Sequence, residues 1–196
     1  MDLNARSGTM DVAEFTNWLE ARPSKERWDL IDGVATRIGP ASYAHRRIAH
    51  NLSEPLNAGF QTRNSDLFAY IGTSVRCPKV RNFQSTPDVV VVPGVSGYDL
   101  YSERFQLVAE VLSPTNRRQE IDLKLRRYCA APENLYAVVI EPREFHVEIY
   151  AKRTDWQPVI LRKAEDPIEM PEFGLRCRVA DLYVGTPLDP HATDLT

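Results

Sequence analysis

Two short apolar, β-branched runs each carry one carboxylate, and that pairing constrains the chain more than any other feature. The first reads Thr86-Pro87-Asp88-Val89-Val90-Val91-Val92, and the second runs Leu107-Val108-Ala109-Glu110-Val111-Leu112. Runs of this length and composition read as buried strands. A lone charge inside such a strand is costly to bury without a partner. Side chains alternate along a strand, so Thr86, Asp88 and Val90 share one face, and Gln106, Val108 and Glu110 share another. If the strands are neighbours, Asp88 and Glu110 converge on one point. Two carboxylates at close range repel unless a cation sits between them. A hard divalent ion, Mg²⁺ or Mn²⁺, suits oxygen donors and leaves room for water and a substrate phosphate. The backbone carbonyl of Val111 is a further oxygen donor. A helix expected over about Arg117 to Ala131 brings Lys124, an ammonium placed to offset charge developing at phosphorus. Glu120, four residues earlier, shares its helix face, to orient the lysine or hold a second ion. The pattern therefore points to metal-assisted attack on a phosphodiester.

The remaining segments supply a frame for that stretch. Asp11, with Glu14 three residues on, predicts a capping box ahead of a helix whose apolar face is Val12, Phe15, Trp18 and Leu19. Asp32-Gly33 between two short apolar runs predicts a two-residue hairpin. Ser42 is placed to cap a second helix running to about Gly59, with Ile48, Leu52, Leu56 and Phe60 facing inward and Pro55 expected to kink or shorten it. Strands are expected over 67–71, 74–77, 86–92, 105–112, 135–140, 145–151 and 158–161, followed by a turn at Phe173-Gly174. This order predicts an α/β fold, a mixed central β-sheet flanked by helices, rather than strict βαβ alternation. Residues 1–9 read as a flexible N-terminus, 10–185 as a single domain and 186–196 as a mobile acidic tail.

Composition narrows the functional class. The chain has 196 residues and a formal net charge of −3, so a nucleic-acid enzyme of this kind must concentrate its basic groups locally. Arg46 and Arg47 on the second helix and Arg117, Arg118 and Arg127 on the third are the expected nucleic-acid contacts, although a solvated helix face explains the same charges. His45 reads as a helix-entry or phosphate-contacting residue, and Trp18, Trp28 and Tyr128 as core. Cys77, Cys129 and Cys177 are an odd number with no close pair, which argues against a disulfide framework. With no long apolar run and no signal-peptide core, the expected location is the cytoplasm, with no membrane partner.

The same residues carry a family resemblance over most of the chain. Asp29-Leu30-Ile31-Asp32-Gly33, Pro40-Ala41-Ser42 with His45, Thr86-Pro87-Asp88-Val89, Glu110-Val111-Leu112-Ser113-Pro114-Thr115 and Lys124-Leu125 with Tyr128 resemble successive motifs of the Uma-type restriction endonucleases, within the PD-(D/E)XK nuclease superfamily. The resemblance implies a restriction-endonuclease-like core that hydrolyses DNA with Mg²⁺ or Mn²⁺. It makes Asp88 and Glu110 metal ligands, Lys124 the catalytic lysine, and Asp29 and Glu120 second-tier participants. It also implies a homodimer, since cutting two strands commonly takes two copies. The chain departs from the superfamily's usual ExK spacing, which places Leu112 where the lysine would stand. A fold retaining this shape as a nucleic-acid or protein binding module without catalysis is the alternative.

Overall fold

A six-stranded mixed sheet sits between two helices, and the valine runs explain why. The computed structural model describes residues 9–63, 65–94, 97–114, 118–190 and 192. In chain order its elements are α1 (Val12–Glu20), β1 (Trp28–Ile31), β2 (Val34–Arg37), α2 (Tyr43–Thr62), β3 (Leu67–Ile71), β4 (Ser74–Arg76), β5 (Gln84–Ser85), β6 (Val89–Pro93), β7 (Tyr101–Ser102), β8 (Leu107–Val111), α3 (Arg118–Ala130), β9 (Tyr136–Glu141), β10 (His146–Ala151), β11 (Pro158–Leu161), β12 (Pro167–Met170), β13 (Leu175–Arg178) and α4 (Val179–Leu182). The large sheet has the order β11-β10-β9-β8-β6-β3, with β8 and β9 parallel and the other pairs antiparallel.

Period-two alternation divides the core. Val89, Val91, Leu107, Ala109 and Val111 join the apolar cluster that holds Ile48, Leu52 and Leu56 of α2. Val90, Val92 and Val108 join the cluster with Ile121, Leu125 and Tyr128 of α3. A continuous valine run is what a strand covered on both faces requires, and Glu110, in step with Val108, faces α3.

A second sheet, β2-β1-β5-β4-β7, packs alongside and was not anticipated, because β5 and β7 are only two residues each. It corrects the start of the first acidic strand. Thr86 to Asp88 lie outside either ladder and carry the chain from β5 in the small sheet to β6 in the large one. Pro87, which has no N–H to donate, suits that crossing.

Local signals elsewhere hold. Asp32 and Gly33 have φ of 48° and 83°, the two left-handed residues of a type I′ turn between β1 and β2. Both the Asp11/Glu14 capping box and the Ser42 cap are formed. Pro55, by contrast, neither ends nor shortens α2, which runs on to Thr62. Beyond the proline the helix is tied to β3: Asn57 Nδ2 donates to the Ala69 carbonyl at 3.0 Å, and Ala69 N–H donates to Asn57 Oδ1 at 2.8 Å. Leu56 and Phe60 are buried there as well, so tertiary packing outweighs the missing backbone bond. The start of the expected tail is also packed: Thr186 is buried with its hydroxyl on the Tyr183 carbonyl, and Leu188 lies against the core.

Candidate active site

Three acids and one lysine meet where the two sheets and α3 come together. Asp29 comes from β1, in the small sheet. Asp88 comes from the Thr86–Asp88 crossing, Glu110 from the end of β8, and Lys124 from the middle of α3. Strand β1 alternates like the others: Trp28 and Leu30 join an apolar cluster with Phe15, which leaves Asp29 on the opposite face. All four residues line one cleft, together with His45 and Glu120.

Lys124 is the hub. Its Nζ lies 2.7 Å from Asp29 Oδ2, and 3.1 and 3.2 Å from the two oxygens of Glu110. Asp29, Glu110 and Lys124 are only 2%, 6% and 7% exposed, so these contacts are shielded from water. Asp29 is completed by the Thr86 N–H on Oδ1 at 2.8 Å and the Ser85 hydroxyl on Oδ2 at 3.1 Å. Tyr128, one helical turn after Lys124, donates its hydroxyl to Glu110 Oε1 at 2.6 Å, and its oxygen lies 2.8 Å from Ser85 Oγ. Asp88 is held separately. Val111 N–H donates to its Oδ2 at 2.8 Å, and Nε2 of His45, from the first turn of α2, lies 2.7 Å from its Oδ1.

The electrostatics follow from this crowding. Burial raises the Glu110 carboxyl most; Lys124 draws it down, Asp88 and Asp29 push it up again, and the result is about 7. Burial alone would lower the Lys124 ammonium, but Asp29 and Glu110 outweigh it and hold the group above the ordinary lysine range. Four carboxylates, Asp29, Asp88, Glu110 and Glu120, thus line the cleft against the three cations Lys124, Arg27 and Arg37, a formal surplus of one negative charge.

That surplus bears on a metal ion. Among the described residues no group of three or more His, Cys, Asp or Glu side chains forms a ready-made metal site. The donor chemistry nevertheless fits a hard divalent cation that binds through one or two carboxylates and keeps its waters. A carboxylate has about four lone-pair positions. His45 and Val111 occupy two of those on Asp88, and Lys124 and Tyr128 occupy three on Glu110, so both acids retain acceptor capacity.

The expected residues divide into those brought together and those sent elsewhere. Asp88, Glu110, Val111 and Lys124 line the cleft, and Asp29, expected as a second-tier participant, is the nearest partner of Lys124. Glu120 also lines the cleft, from the first turn of α3. The basic residues fare differently. Arg117 lies outside the described residues. Arg118 makes a two-pronged bond to Glu148 at 2.9 and 3.2 Å and another to Asp122 at 3.0 Å, fastening α3 to β10. Arg127 pairs with Asp32 of the hairpin. Arg46 and Arg47 are exposed on α2, with Arg47 lying over Gly185.

The Arg118 pair carries a pH prediction. Burial pushes the Glu148 carboxyl up, but bonds from Arg118, Tyr150 and His146 outweigh it and bring it from 4.5 to about 2. A depressed carboxyl contributes stability above its unfolded value and loses it as pH falls through the folded one. Stability should therefore decline between pH 4.5 and about 2. In Glu148→Gln that part of the decline should vanish, as read from urea midpoints at about pH 5 and about pH 3.

Sequence reading placed His45 at a helix entry or on a phosphate and Tyr128 in the core, not as hydrogen-bond partners of the acids, and it did not single out Ser85. Tyr128 carried a signal, since it stands four residues after Lys124 and so on its helix face. The pairings of His45 and Ser85 left no local signal, because their partners lie 43 and 56 positions away, although His45 stands in one of the family motifs.

Comparison with known proteins agrees with this architecture. A crystal structure of a "putative nuclease belonging to DUF820" from Anabaena variabilis superposes with a TM-score of 0.70 at 15% identity, covering 89% of this chain and 97% of that one. An uncharacterized protein of Synechocystis sp., slr1290, is 28% identical over 182 residues, 88% of this chain and 90% of its own length. Residues 12–180 match the family Uma2, described as "Putative restriction endonuclease", and the chain belongs to that family.

Proposed function

We propose that the protein is a metal-dependent endonuclease that hydrolyses phosphodiester bonds in DNA, with Mg²⁺ or Mn²⁺ as cofactor. The observation that carries this reading is the convergence of Asp88, Glu110 and Lys124, from three separate elements, on one cleft with surplus negative charge. Asp88, Glu110 and the Val111 carbonyl would hold the ion. When bound, such an ion polarises a phosphoryl oxygen and lowers the pKa of water. The chain's own residues do the positioning. Val111 N–H and His45 fix the Asp88 carboxylate, and Tyr128 and Lys124 fix that of Glu110. Lys124, anchored by Asp29, presents fixed positive charge to the reacting phosphate without reorganising.

The test is plasmid nicking by the purified protein with Mg²⁺ or Mn²⁺, with and without chelator. Supercoiled DNA should convert to open-circle and linear forms only when the ion is available. The alternative, a nucleic-acid or protein binding module without cleavage, is supported by the departure from the usual ExK spacing, with Leu112 where the lysine would stand. Salt-dependent DNA binding with no nicking under any metal would select it. A homodimer belongs to the same proposal, and light scattering with and without a DNA duplex tests it.

A further inference from the structure

Arg27 stands apart from the other arginines near the cleft. Its carbonyl accepts from Ile38 N–H at 2.9 Å, which extends the β1–β2 ladder by one residue. Strand alternation therefore places Arg27 on the face that carries Asp29 and Ile31, and all three line the cleft. Its guanidinium passes beside the β3–β4 turn, where Nη2 would lie 3.6 Å from a Cβ at Gly72. Gly72 has a φ of +66°, and its N–H donates to the Asp88 carbonyl at 3.1 Å. The guanidinium is thus kept close to the segment that holds Asp88.

What distinguishes this arginine is its lack of a partner among the described residues. Arg118 is committed to Glu148 and Asp122, Arg127 to Asp32 and Arg104 to Glu133. Arg27 is exposed, and among the described residues it makes no side-chain hydrogen bond or ion pair. Arg37, across the ladder, also lines the cleft but lies 4.0 Å from Glu26. An unpaired planar fork of donors at the mouth of an acidic cleft matches a phosphate, which a guanidinium grips with two parallel bonds. A negatively charged backbone also needs such a group to enter a cleft lined by four carboxylates.

We infer that Arg27 binds a DNA backbone phosphate flanking the scissile bond, and that the β1–β2 hairpin, rather than α3, forms the phosphate-gripping edge of the site. This inference rests on the nuclease reading above. A cation that neutralises one phosphate adds about 0.9 to the slope of log K against log salt on B-DNA. The experiment measures binding of the full chain to a short duplex, in chelator, across a salt series. Arg27→Gln should lower that slope by about 0.9 and weaken binding roughly eightfold near 0.1 M salt. Arg27→Lys should keep the slope, and Arg118→Gln should leave it unchanged while lowering stability. Because Arg27 is exposed and unpaired, its thermal midpoint should not move. If the wild type binds and nicks DNA and Arg27→Gln keeps the full slope, the inference is overturned and the nuclease reading stands. If the wild type neither binds nor nicks, the nuclease reading fails and takes this inference with it.

Discussion

Asp88→Asn should lose at least about a thousandfold in metal-dependent DNA cleavage while the protein remains folded and still binds DNA. A metal ion acting on a phosphoryl oxygen contributes several kcal/mol of transition-state stabilisation, and each ~1.4 kcal/mol is tenfold in rate. Losing about 4 kcal/mol of that term gives the expected factor. Asparagine is the informative replacement. Its amide oxygen can still accept from Val111 N–H, and its amide nitrogen can donate to His45 Nε2 once the imidazole proton moves to Nδ1, a buried atom with no partner among the described residues, so the backbone contact survives and only the histidine tautomer changes. Alanine would strand the Val111 N–H at a cost of about 1–3 kcal/mol and confound the result. Removing one of four carboxylates also relieves Glu110, which Asp88 pushes upward, so the thermal midpoint should hold or rise slightly. DNA affinity in chelator should likewise hold or tighten. Single-turnover cleavage and a binding isotherm on the same preparation separate these effects. Cleavage at wild-type rate would remove Asp88 from the mechanism.

How much of this was legible before the structure depended on how far apart the interacting residues lie. The faces of the sheet followed from alternation alone, because Val89 to Val92 divide between α2 and α3 residue by residue. Local chemistry was equally readable: the Asp32-Gly33 turn, the Asp11/Glu14 box and the Ser42 cap each complete within four residues. The family motifs named the central acids and the lysine. What could not be read was long-range pairing. The basic run on α3 looked like a nucleic-acid face because its acidic partners, Glu148 and Asp32, stand 30 and 95 residues away. Arg27 escaped notice for the converse reason, since what marks it is the lack of any such partner among the described residues. The small sheet was hidden because its linking strands are two residues long, too short for any period to register.

Lys124→Met should destabilise the protein by about 3–5 kcal/mol, the largest stability effect expected of a single substitution at the site. Lys124 is the ammonium bonded directly to Asp29 and Glu110, and methionine keeps most of its length while removing the charge. Glu110, already raised to about 7 beside the lysine, would take up a proton, and Asp29 would be left as a buried carboxylate with only the Ser85 hydroxyl and the Thr86 N–H as donors. At about 2–4 °C per kcal/mol for a domain of this size, the midpoint should fall by roughly 6–20 °C. The loss comes from stranded charge, so it should be reversible by neutralising one acid. Adding Asp29→Asn to Lys124→Met should restore most of the stability, whereas Glu148→Gln, on the distant Arg118 pair, should not. Activity must behave oppositely: the stabilised double variant should remain inactive, because it lacks the lysine. Urea unfolding of the single and double variants gives the coupling energy, and cleavage assays on the refolded double variant give the catalytic result. A double variant no more stable than Lys124→Met would mean that packing, not charge pairing, fixes α3 at this point. A Lys124→Met protein that still cleaves DNA would leave the lysine as the counter-ion that lets two acids be buried together, with no part in the chemistry.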